Sequence, residues 1–163
     1  MGFFDKLKKS FEFETTSPNQ QKNPILPILQ KHSGRSDLEK ISAKLGFALK
    51  IVHADGRVAE EEKELLTELL HEYLGISNAD AQAPLEEMLQ IEDIDLEMMY
   101  FAKALNKNTE EAERKEFLAD LFRVAHADDE YAMLEEQDIR MISKYLHLDH
   151  QAFIEERRRA KDK

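Results

Sequence analysis

The stretch LGFALKIVHADGRVAEEE at residues 45–62 returns, without a gap, as LADLFRVAHADDEYAMLE at residues 118–135, an offset of 73. Nothing else in the chain limits its fold as strongly. Six of the 18 positions are identical, and they cluster round a His-Ala-Asp triplet: His53, Ala54 and Asp55 in the first copy, His126, Ala127 and Asp128 in the second. Seven residues after each Asp stands a Glu, Glu62 and Glu135. A helical pattern enters each triplet and another leaves each Glu, so each copy reads as helix–turn–helix. Two such units bury their apolar faces by packing on each other, and two hairpins around a pseudo-twofold axis are the expected arrangement.

The remaining pattern is helical as well. Leu38, Ile41, Leu45, Ala48 and Val52 predict a helix over about 37–54, with Ser36 as N-cap. Leu65, Leu66, Leu69, Leu70 and Tyr73 mark a second, stopped by Gly75. Ser77 with Asp80 resembles a capping box for a third, which Pro84 is expected to kink or restart. Met98, Phe101, Ala102 and Leu105 lie on one face of a fourth. Thr109 is expected to cap a fifth carrying Phe117, Leu118, Leu121, Phe122 and Ala125. Ile139, Ile142 and Leu146 mark a sixth, and Asp149 caps a seventh with Phe153 and Ile154. No run alternates as a strand does, so the predicted class is all-α. Upstream, Phe3, Phe4, Leu7 and Phe11 share one side of a short amphipathic helix over 1–12, with Lys6, Lys8 and Lys9 opposite. Residues 13–35 hold three of the four prolines and read as a linker, leaving 36–163 as the helical domain.

Charge narrows the partners. The net charge is −11, and residues 55–97 hold 14 acids against only Arg57 and Lys63. Such a surface repels a phosphate backbone, so nucleic acid is not expected, whereas cations or a basic protein partner are. The absence of cysteine excludes disulfides, thiolate zinc sites and cysteine nucleophiles. Enzyme signatures are missing too. There is no nucleophile elbow and no glycine-rich phosphate loop, and His71-Glu72 opens like HExxH but meets Gly75 at the second His position. No apolar run approaches the roughly 20 residues that span a bilayer, and MGFFDKLKKSF lacks the apolar core of a secretion signal. A cytoplasmic location is expected, with the N-terminal helix suited to weak, reversible contact with the inner membrane surface.

The first turn poses a sharper question. DGRVAEEE reads like the second half of an EF-hand loop, with Gly56 at position 6, Val58 at position 8 and Glu62 at position 12. The first half fails, because Ile51 and His53 fall where oxygen ligands are needed. Two readings stay open. In one, Gly56 ends a helix and Glu62, at N3 of the next if Ala59 is its N-cap, reaches back to a free backbone N–H. In the other, Asp55, Glu62, Asp128 and Glu135 are metal ligands. Two turns that met would supply four carboxylates, a set suited to Ca²⁺, Mg²⁺ or Mn²⁺ ahead of Zn²⁺. Each His stands two residues from its Asp, about 200° around a helix, so His53 and His126 read as boundary residues. The methionines at 88, 98, 99, 133 and 141 follow apolar helical patterns and read as core.

HADGRVAEEE in the first half and RVAHADDEYAMLEEQDIRMISKYLHL in the second resemble the TerB-like proteins, related to the tellurite-resistance protein TerB and to the N-terminal domain of the co-chaperone DjlA. MMYFAKALNKNTEEAERKEFLADLF also resembles the family's lead-in to the second copy, and the likeness spans about 37–160. It implies a bundle of about seven helices and a divalent-metal site built from Asp55, Glu62, Asp128 and Glu135. It also implies a non-enzymatic role in tellurite or stress resistance. A metal-free interaction adaptor, or a co-chaperone accessory as in DjlA, is the alternative. The second copy departs from the family's pattern: Asp129 stands where Gly is common, which alters the demand on that turn and adds a carboxylate.

Overall fold

Helices are the only extended secondary structure in the residues described by the computed structural model, 23–54, 56–93, 96–127 and 133–161. There are eight among them: α1 Ile25–His32, α2 Leu38–Val52, α3 Glu60–Leu74, α4 Asn78–Leu89, α5 Met98–Asn108, α6 Glu111–Ala125, α7 Met133–Tyr145 and α8 His150–Lys161. None of these is long and apolar enough to cross a membrane. The amphipathic segment 1–12 lies outside the described residues.

The repeat is written into the helix boundaries. Both ends of α2 map onto those of α6 at the offset of 73, and the starts of α3 and α7 do the same. The unit also extends further than the matching letters. α1 and α5 begin 73 residues apart, and α4 and α8 begin 72 apart, so the duplicated unit comprises four helices. The central four make symmetric contacts: α2 touches α3 and α7, α6 touches α7 and α3, and α2 touches α6. The outer helices break the symmetry, with α4 packed on α3 and α8 on α6.

Side-chain pairs fix the polarity of this core. Lys40 and Lys44 of α2 both bind Glu113 of α6, at 3.2 and 2.9 Å. Further along both helices, the rings of Phe47 and Phe117 lie 6.0 Å apart. The pairing advances in the same sense on each helix, so α2 and α6 run the same way. The α3–α6 pairing runs the other way. The Tyr73 hydroxyl donates to Asp120 at 2.7 Å, while Arg123 reaches back to Glu72 at 3.7 Å and Glu68 at 3.3 Å. Desolvation, then Asp120, holds the half-buried Tyr73 hydroxyl protonated well beyond the usual tyrosine range. With α2 and α6 parallel, His53 and His126, which follow them, lie at the same end of the bundle.

The segment read as a linker contains α1, which accounts for the eighth helix. Pro24 and Pro27 do not oppose it, because a helix leaves its first N–H groups without intrahelical partners. Asn23 does the capping, its side-chain oxygen accepting from the N–H groups of Ile25 and Leu26 at 3.2 Å each. The same residue, fully buried, donates to the Ser42 hydroxyl of α2 at 2.8 Å. Ile25, Ile28 and Leu29 are buried in the core. At the other end of α1, Lys31 and His32 both engage Glu87 of α4. Hydrogen bonds from Lys31 and then His32 hold the Glu87 carboxyl below its ordinary range.

Three local expectations also change. Asp37, not Ser36, occupies the N-cap of α2, and its carboxylate makes a two-pronged pair with Arg35 at 2.9 Å. Thr109 does not cap α6. Its hydroxyl donates to the Leu105 carbonyl at 2.6 Å, closing α5, and Glu110 takes the N-cap of α6. Pro84 does not divide α4, which runs unbroken from Asn78 to Leu89 with Pro84 buried inside it. Other caps fall as expected: Gly75 is left-handed, with φ of 69°, after α3. Ser77 accepts from the Asp80 N–H at 3.0 Å, and Asp149 accepts from the Ala152 N–H at 2.8 Å.

The α2–α5 contact depends on Gly46. A Cβ at that position would stand 2.5 Å from the Phe101 ring, which itself packs edge-on against Phe47. Gly46→Ala gains about 1 kcal/mol of helix propensity but forces overpacking that typically costs about 1–3 kcal/mol. Urea unfolding should show a net loss of stability, and adding Phe101→Leu should recover part of it. A gain for Gly46→Ala alone would mean that the ring moves aside freely.

Candidate cation site

The first turn is built by α2 ending and the chain reversing. The His53 N–H still reaches Leu49 at 2.9 Å, the Ala54 N–H reaches Ile51 at 3.1 Å, and the Gly56 N–H closes on His53 at 3.0 Å. Gly56 has φ of 78°, a left-handed conformation that glycine adopts without steric cost. His53, not Gly56, is the cap residue of α2; Gly56 closes the turn beyond it.

Beyond the turn, Glu62 occupies N3 of α3. Its Oε1 accepts from the Ala59 N–H at 2.9 Å, as the capping reading requires. Ala59 has no side-chain acceptor, so only this half of a capping box forms. Burial sets Glu62 apart from an ordinary cap. It is 1% exposed, and Glu135, at the matching third position of α7, is 0% exposed. Capping alone does not call for burial, and glutamates are rarely buried completely. The partial positive charge of a helix N-terminus favours a carboxylate there.

The α3–α6 pairing gives the direction of the chain around Glu62. Arg123 of α6 sits opposite Glu68 and Glu72, and the helices are antiparallel, so the chain leaving α6 runs toward the first turn of α3, where Glu62 stands. The pseudo-twofold relation sends the chain leaving α2 toward the first turn of α7 and Glu135. Asp55 and Asp128 lie outside the described residues, as does Asp129. Among the described residues no group of three or more His, Asp or Glu is placed to hold a metal ion.

The histidines sit at the helix ends. The buried Nε2 of His53 has no hydrogen-bond partner among the described residues, and the His126 ring stacks on Phe122 with centroids 6.5 Å apart. One pair of residues gains meaning only from the structure. Lys50 and Arg123, related by the repeat, each stand three residues before the motif His and each pair with at least one acid from another segment. Lys50 binds Asp93 at 3.1 Å, and Arg123 binds Asp120 at 3.1 Å as well as Glu68. Burial pushes the nearby Asp138 carboxyl up, with Lys50 opposing and Asp93 reinforcing the shift. The conserved sign of charge at 50 and 123 was the only sequence signal for this arrangement.

Of the methionines read as core, Met88 is fully buried, but Met99 is 72% exposed and Met141 43%. The side chain of Met133 lies outside the described residues.

Two four-helix repeats, each with a buried glutamate in the first turn of its second hairpin helix, define an all-helical bundle with the two motif histidines at one end. The sequence model of the tellurite resistance protein TerB family matches residues 42–158, and the chain belongs to that family. Neither a search of curated proteins nor one of solved structures gave a match.

Proposed function

We propose that this TerB-family chain is a cytoplasmic, non-enzymatic module of tellurite-type stress resistance that binds a divalent cation at the shared end of its two repeats. The observation that carries the reading is the twin burial of Glu62 and Glu135, each the third residue of its helix. Glu62 and Glu135, with Asp55 and Asp128 from the adjoining turns, would hold the ion. An all-oxygen carboxylate set suits Ca²⁺, Mg²⁺ or Mn²⁺ better than Zn²⁺. A cation held between the two turns would tie the repeats together. Equilibrium dialysis of the full chain against Mn²⁺ tests this. The wild type should retain the ion, and the Asp55→Asn, Asp128→Asn variant should retain little. Equal retention by both would remove the aspartates from the site.

A second reading has its own support. Glu60, Glu61, Glu64, Glu68 and Glu72 are exposed along α3, and such a face suits a basic protein partner in an adaptor or co-chaperone role. Failure of every cation to bind would leave this reading in first place.

A further inference from the structure

We draw no further inference here: the strongest candidate, the open groove of about 430 Å³ between α3 and α4 lined by Glu60, Glu64, Glu68 and Gln82, is a cluster of acidic residues on the face already assigned to a basic partner, two of whose carboxylates are engaged by Lys63 and Arg123, and nothing in the structure shows what fills it.

Discussion

Deleting residues 1–35 should abolish the cooperative thermal transition, whereas a chain beginning at Asn23 should keep it. The shorter chain loses Ile25 and Leu29, both 0% exposed, together with Ile28 at 9%. Burying a side chain of this kind contributes about 1.5–3 kcal/mol, so the three together amount to roughly 5–9 kcal/mol. That is comparable with the whole stability of a typical domain, about 5–15 kcal/mol. The deletion also uncovers the faces of α2 and α4 on which α1 packs and strips the buried Ser42 of its bond from Asn23. Far-UV circular dichroism during heating reads the outcome. A sharp transition at an unchanged midpoint for residues 36–163 would mean that α1 is dispensable, as the linker reading expects.

The second large effect concerns the buried glutamates. A ligand bound only by the folded state adds about 2.7 kcal/mol at a hundredfold excess over its dissociation constant. For a chain of this size each kcal/mol moves the melting temperature by about 2–4 °C, so the wild type should gain roughly 5–10 °C in a saturating divalent cation. Glu62→Gln with Glu135→Gln separates ligation from capping. A glutamine at N3 keeps a carbonyl oxygen for the Ala59 N–H, so the metal-free melting temperature should change little. The same replacement removes the anionic oxygens that a hard cation requires, so the cation-dependent rise should vanish. An equal rise in both proteins would place the ion elsewhere.

Periodicity made most of the bundle legible. α2, α3 and α5 to α8 each carry an apolar stripe that the sequence displays, and the turn motif marked where two hairpins reverse. α1 escaped because Pro27 within it, Pro24 just before it and its polar flanks resemble a linker. Only the packing shows that Asn23 caps it and that Ile25, Ile28 and Leu29 point into the core. The same blindness hid the full repeat. ILPILQKH and MMYFAKAL share no identical residue at the offset, yet Ile28 and Phe101, and Leu29 and Ala102, are buried at matching positions. Thr109 shows why caps are hard to read: a hydroxyl beside a helix end can bond in either direction, and Thr109 turned back to α5. For the site, the spacing marked Glu62 as an N3 residue correctly. Its burial, and that of Glu135, depends on neighbours distant in sequence and was not legible from spacing.

The most direct test is calorimetric titration of the chelator-stripped full chain with Ca²⁺, Mg²⁺, Mn²⁺ and Zn²⁺, repeated on the Glu62→Gln, Glu135→Gln variant. Saturable binding of at least one of the oxygen-preferring cations by the wild type, and none by the variant, is the expected result. Heats no larger than dilution for every cation with the wild type, or identical isotherms for the two proteins, would contradict the assignment of these glutamates as ligands.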